Sequence, residues 1–359
     1  MLNLGQLVNT VQKNCHISDA RHAGDFTLCI FLLKMREFFR WENDIPFARE
    51  LPREEVGAWL QEREGLWSDL EESQFEALPL DGRRLDPFDA DSVNRELIPQ
   101  GYVYGGGYGR FAKPHFFLGS LLKKETRAGY TIYISSCEYA RDLEAPPAML
   151  QGKTIYIRQE SVRRFLWEKI EEWRWNHNNK AMERALDCYA FDLDTNSALD
   201  RMTGNETEAM ILHELGEGLA GEKLGEDWHR MLTAFSRSKA EIMIRAVRDI
   251  LADCLSTLPA LLAANNSASL HFYFANFGGM RKHLFPEAVT AYQRWAADED
   301  SDALQQFVNE GQRRWLDTAR ALLAIFLDKG RDAGPVIENM LDPETESADC
   351  CPPKTASSS

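Results

Sequence analysis

The first strong element of the chain is apolar on nearly every side. It starts at Ser18 or Asp19, either of which can cap a helix, and the run FTLCIFLLKMREFFRWE carries it to about Glu42, ahead of Pro46. Phe26, Leu28, Cys29, Ile30, Phe31, Leu32, Leu33, Met35, Phe38 and Phe39 surround the axis, which predicts a helix buried on most sides at the centre of an N-terminal domain. After Pro52, the segment REEVGAWLQEREGLWSDLEES predicts a second, amphipathic helix.

From about Pro99 the period changes. The segment GYVYGGGYGRFAKPHFFLG is rich in Gly and aromatics, and TIYISSCEYA and KTIYIRQE alternate in β-branched and aromatic types. They predict a small antiparallel sheet with a hairpin turn at Lys124 to Gly129. A long helix follows over 160–191, then a polar, unpatterned stretch, then helices at roughly 206–223, 226–264, 284–297 and 301–329. The expected class is α+β, with a helical N-terminal region, a small antiparallel sheet in the middle and an all-α, bundle-like C-terminal domain. The expected division is an N-terminal domain at 1–192 (helices over 1–95, sheet over 99–158), a linker at 193–205, a C-terminal domain at 206–340 and a disordered Ser-rich tail at 341–359.

Composition narrows the function classes. Over 359 residues, 44% apolar types with 9 Trp, 10 Tyr and 19 Phe are ample for burial, so disorder is disfavoured. A formal charge of −15 argues against a nonspecific nucleic-acid or anionic-membrane binder, and no long apolar run or leader-like N-terminus appears. The 7 cysteines are odd in number and form no C-x-x-C pair, which points to a reducing cytoplasm rather than a disulfide framework.

The sharpest chemical signal runs from Glu206 to Glu217. At about 100° per residue, Glu206, His213 and Glu217 fall within about 40° of one another on a helix. A His and carboxylates so placed suit a divalent metal, and His213-Glu214 opens like the zincin motif H-E-x-x-H with Glu217 in place of the second His. Asp249 and Asp253, one turn apart, repel unless a cation sits between them. If the two helices pack through their small-residue faces (Gly216, Ala220, Ala252), then His213, Glu217, Asp249 and Asp253 form a metal site with Glu214 as general base. The plainer alternatives are that the His213 face meets water and that Arg245 or Arg248 neutralises the acids. A second cluster, Cys15, His16, Asp19, His22 and Asp25, is both metal- and nucleophile-compatible, though Asp19 also explains itself as a cap and Asp25 as a partner of Arg21. The Gly101 to Arg110 run lacks a phosphate-loop frame and reads as a turn between strands or a flexible lid.

The strings Cys15–Ala23, Leu33–Glu37 and His213–Glu217 resemble a family of uncharacterised bacterial proteins that covers most of the chain. The resemblance implies a bacterial cytoplasmic protein and carries no activity or assigned residues. Two functions are therefore expected: a metal-dependent enzyme acting on a small molecule, or a non-catalytic interaction or assembly factor for a protein partner. Oligomeric state is left open.

Overall fold

The computed structural model describes residues 2–342 apart from 48, 110, 111 and 299, and apart from the side chain of 176. The expected tail lies outside the described residues from 343 onward. The chain forms two compact units, 1–214 and 215–359.

The N-terminal unit opens with α1 (Leu4–His22), capped by Asn3, whose Oδ1 accepts the Gln6 amide at 3.1 Å. Ser18 and Asp19 are therefore interior, fully buried residues of α1 and not caps. The apolar spacing of Leu4, Leu7, Val8, Val11 and Cys15 is the signal that extends the helix forward. A short 3-10 turn (Ala23–Asp25) separates it from α2 (Leu28–Glu42). The expectation that this helix is buried on most sides fails in its first two turns: Leu28 is 71% exposed, Leu33 57%, Ile30 46% and Leu32 41%, while Met35, Phe38 and Phe39 are buried. The amphipathic α3 (Arg53–Leu70) follows Pro52 as its spacing predicts.

A two-stranded ribbon, β1 (Leu78–Leu80) with β2 (Arg83–Leu85), and α4 (Ala90–Leu97) lead into a five-stranded sheet. Its strands are β3 (Tyr102–Tyr108), β4 (Pro114–Arg127), β5 (Tyr130–Arg141), β6 (Ala148–Gln151) and β7 (Thr154–Arg158), in the order β3-β4-β5-β7-β6. The β4–β5 hairpin turns through Ala128 (φ 49°) and Gly129 (φ 83°), the two positive φ values that match the twist of paired strands. The pairing is antiparallel except between β5 and β7, where Thr131 to Ile134 lie parallel beside Thr154 to Ile157. The alternation of both segments was visible in sequence; the direction was not, because β6 takes the antiparallel edge of β7. The Gly run is neither lid nor turn but strand β3 itself. A Cβ on Gly105 would come 2.3 Å from the Phe117 ring and one on Gly106 2.2 Å from the Pro87 carbonyl oxygen, so only glycine permits these approaches.

α1 lies on the sheet, burying Leu7, Val11 and Cys15 against Phe116, Leu118 and Ala140. The helix expected over 160–191 is two: α5 (Gln159–Asn176) ends where His177 turns left-handed (φ 46°), and Asn179 caps α6 (Lys180–Asp187). The expected linker at 193–205 is mostly helix, because α7 (Thr195–Leu224) begins after Asp194, whose Oδ1 accepts the Asn196 amide at 3.0 Å, and buries Ala198, Leu199 and Met202.

The C-terminal unit is helical: α8 (Glu226–Ala234), α9 (Lys239–Ala252), a π-helical turn (Asp253–Thr257), α10 (Leu258–Ala263), α11 (Ser267–Ala275), α12 (Gly279–Leu284), α13 (Glu287–Asp298), α14 (Ser301–Lys329) and α15 (Gly334–Leu341). The single helix expected over 226–264 is broken where Arg237 takes φ 65° and Ser238 caps α9. Pro259, which has no N–H to return to the preceding turn, follows the π turn. Among the described residues no helix is long and apolar enough to cross a membrane.

Candidate functional site

The C-terminal carboxylates expected to hold a metal are engaged by cations of the protein. Arg248 Nη2 donates to Glu217 Oε1 at 2.7 Å and lies 3.4 Å from Asp249 Oδ1. Arg245 pairs with Glu241 at 2.8 Å instead. Asp253, 1% exposed, accepts from Arg281 Nη1 at 3.0 Å, the Tyr273 hydroxyl at 2.8 Å and the Thr257 hydroxyl at 3.1 Å. Asp249 and Asp253 thus each have a different guanidinium: Arg248, one of the two arginines expected to neutralise them, serves Asp249, whereas Asp253 is paired by Arg281. Glu206 and Glu214 are buried, His213 is half-buried, and Glu208 pairs with Arg127. His213 and Glu214 close the N-terminal unit, whereas Glu217, Asp249 and Asp253 belong to the other. Among the described residues no group of three or more His, Cys, Asp and Glu is placed to hold a metal ion.

The small-residue packing that motivated the metal reading is present. A Cβ on Gly216 would stand 2.3 Å from the Ala252 carbonyl oxygen and 2.8 Å from its carbon. Gly216→Ala should therefore lower stability by about 1 to 3 kcal/mol in urea unfolding, because helix backbone has to move away. Gly221→Ala, whose Cβ meets nothing within 4 Å, should be neutral or gain up to about 1 kcal/mol. Equal effects of the two substitutions would rule out the close approach.

The second predicted cluster is dispersed along α1 by the helix itself. Cys15 is fully buried, its thiol donates to the Phe116 carbonyl at 3.2 Å, and burial, with the Asp142 and Asp19 charges, pushes its pKa well up, which makes it inert. His16 is buried beneath Trp67 and Phe38. Arg63 Nη1 lies 2.7 Å from its Nε2 and the Trp67 indole N–H 3.3 Å from its Nδ1; both neighbours are donors, which favours the neutral ring over the imidazolium. His22 and Asp25 form a partly exposed pair at 3.2 Å. The expected Asp25–Arg21 pair is replaced by Arg21 donating to the Glu71 and Ser73 carbonyls.

Asp19 alone leads to a site. α1 is pinned to the start of β4 by Ser18 Oγ donating to the Pro114 carbonyl at 2.5 Å, so Asp19 faces the residues beside that strand and the loop after β5. Its Oδ2 accepts the Leu143 amide at 2.8 Å, and its Oδ1 lies 3.5 Å from Lys113 Nζ. Lys113 Nζ is also 3.6 Å from Glu144 Oε2. Both ion-pair distances are long, and among the described residues neither Lys113 Nζ nor Asp19 Oδ1 has a direct hydrogen bond. His115 Nδ1 donates to Asp142 Oδ2 at 3.0 Å, and its Nε2 lies 3.7 Å from Glu144. Gly109 covers that imidazole: a Cβ there would meet Nε2 at 2.6 Å.

Charges in this cluster oppose burial with mutual attraction. Burial pushes the Asp19 carboxyl well up, against the pull of Lys113. Burial works against the charged form of His115, but Asp142 outweighs it and raises its pKa. Burial likewise opposes the ammonium of Lys113, and Asp19, Asp142 and Glu144 raise it on balance. The result is a carboxyl poised to change protonation next to two held cations. Behind it lies a second buried pair: Glu138 accepts from Arg158 Nε at 3.2 Å and from Ser161 Oγ at 2.6 Å, and the Arg158 guanidinium stacks 4.5 Å from the Phe117 ring centre.

A cavity of about 460 Å³ opens between α1, α2 and α3, lined by Ala20, Ala23, Phe26, Phe31, Trp67 and neighbours. Phe26 lines the cavity and also meets the cluster's lysine: Lys113 Nζ lies 5.3 Å and Lys34 Nζ 5.4 Å from its ring centre.

Two family models match this chain, the N-terminal domain of a family of unknown function (DUF6866) over residues 6–158 and the C-terminal domain of the same family over 163–344. The chain belongs to the DUF6866 family. No curated protein and no solved structure matches it. The DUF6866 N-terminal domain holds Asp19, Lys113, His115, Asp142, Glu144, Glu138 and Arg158, and the whole cavity lining. Its end falls at β7, so α5 and α6 pack with the N-terminal unit although they lie in the span of the family's C-terminal domain. Of the cluster, only Asp19 was singled out from sequence. A sequence signal existed only for the neighbouring Glu138–Arg158 pair: Glu138 lies in the alternating run of β5 on the buried side with Ile134 and Ala140, and a charged residue in such a register marks a buried ion pair.

Proposed function

We propose that the N-terminal unit is a small-molecule enzyme of acid–base type, which takes its substrate in the α1–α2–α3 cavity and turns over at the Asp19–Lys113–His115–Asp142–Glu144 cluster. One observation carries this reading: five ionisable side chains are gathered with Lys113 at long ion-pair distances from Asp19 and Glu144, and Lys113 lies against Phe26, a residue of the α1–α2–α3 cavity wall. Rotation of the Phe26 side chain joins the two. Lys113, kept as an ammonium by Asp19 and Glu144, then stabilises negative charge developing on the substrate; Asp19 as the carboxylate takes a proton from the substrate, and the His115 imidazolium, oriented by Asp142, donates one to it. The bacterial cytoplasm is the setting that goes with it, since Cys15, Cys29, Cys137, Cys188 and Cys254 are all free thiols.

The test begins with a thermal-shift screen of small metabolites, followed by NMR of the mixture to detect conversion. Lys113→Met and His115→Asn should each lower turnover by about 100-fold or more while the ligand still binds. Unchanged turnover in both variants would remove the assignment. The divalent-metal reading has its own arm: a stoichiometric metal on untagged protein, lost in His213→Ala, would restore a metal centre with His213, Glu217, Asp249 and Asp253 as ligands and Glu214 as base. A protein without metal or ligand would return the molecule to the role of an interaction factor, to which the exposed apolar turns of α2 point.

A further inference from the structure

We infer that the cavity between α1, α2 and α3 binds a small organic cation, an amine with an apolar body; this rests on the reading that the cavity is the substrate site and adds its substrate class. α3 presents Glu64, Trp67, Ser68 and Glu71 to the cavity. These positions are spaced i, i+3, i+4 and i+7, one stripe of a helix, so the two carboxylates stand about two turns apart with the indole between them. Glu64 and Glu71 have no ion-pair partner among the described residues, although basic side chains lie nearby. Arg21 is engaged by the backbone carbonyls of Glu71 and Ser73 and lies over the Phe75 ring at 4.9 Å, and its guanidinium makes no ion pair with the Glu71 carboxylate. Lys34 and Lys113 lie against the Phe26 ring, 5.4 and 5.3 Å from its centre, and neither lines the cavity.

The opposite wall, Ala20, Ala23, Phe26, Leu28 and Phe31, is apolar and aromatic. An ammonium group at Glu64 or Glu71, with its body across Trp67 and Phe31, gains a charge-assisted hydrogen bond and an aromatic face together. A carboxylate ligand meets two like charges there, and a neutral one gains only the apolar wall. The chain's charge of −15 favours the approach of a cation.

Three probes of one shape decide the matter by calorimetric or NMR titration of the full chain: 2-phenylethylamine, 2-phenylethanol and 3-phenylpropionate. The amine should bind at least tenfold tighter than the alcohol, and the acid weakest of all. The double substitution Glu64→Gln, Glu71→Gln should abolish the amine's advantage and leave the alcohol unchanged. Ala23→Phe, which fills the cavity, should weaken amine and alcohol together. An acid or alcohol that binds as well as the amine, an amine unaffected by the double substitution, or no amine binding at concentrations on the order of 1 mM overturns the inference. Each of those results leaves the acid–base assignment to the Lys113 and His115 variants, whose turnover is measured separately.

Discussion

Replacing Arg158 with methionine should cost about 3 to 5 kcal/mol of stability, because it strands the Glu138 carboxylate in the interior. Arg158 and Glu138 side chains are 1% and 0% exposed; burial pushes the Glu138 carboxyl up, and Arg158, helped by Arg141 and Ser161, more than offsets it and lowers its pKa. The double substitution Glu138→Met, Arg158→Leu should recover most of the loss, since apolar side chains of similar volume remove the uncompensated charge. Urea unfolding of the three proteins measures both effects. A single variant as stable as the parent, or a double variant worse than the single, would show that the pair is not the buried ion pair described.

Acid should destabilise the protein through His16. Burial first, and then the Arg63 charge, holds its folded-state pKa at about 3, against 6.5 when unfolded. A depressed value means that the contribution is complete above the unfolded pKa and is lost as the pH falls. Between about pH 6.5 and pH 3 the unfolded chain binds a proton that the folded one refuses, at about 1.4 kcal/mol per unit, for a total on the order of 5 kcal/mol. His115 runs the other way: its pKa is raised, so its contribution is present below the unfolded value and lost as the pH rises through the folded one. The difference between parent and His16→Gln isolates the first group. Stability of the variant should fall less steeply over the acid range, and curves that stay parallel down to pH 4 would exclude His16 as the acid-sensitive site.

Local pattern and tertiary context divided the work unevenly. The helix after Pro52, α14 at Ser301–Lys329 and the alternating strands were legible because each is specified by near neighbours, through a period of 3.6 or of 2. Breaks were not: His177 and Arg237 interrupt helical patterns through a single left-handed residue, which local propensity scarcely registers. Polarity misled at 193–205, where Ala198, Leu199 and Met202 carry the buried stripe among polar neighbours.

The candidate site shows the same division. Spacing along one helix put small residues on the face of α7, and Gly216 there meets Ala252; spacing also singled out Asp249 and Asp253, each of which lies beside a guanidinium. Which cation was decided by Arg248 and by Arg281, the latter 28 residues further along the chain and brought to Asp253 only by folding. In the N-terminal unit Asp19 stood out by type, yet Lys113, His115, Asp142 and Glu144 did not, because they are dispersed in sequence and share no period. By itself the sequence determined the α+β class, the helical and alternating segments and the presence of reactive residue types. Only the tertiary structure decided which of those residues meet, because burial and long-range pairing depend on the register of α1 upon β4 and β5, and that register is absent from any local pattern.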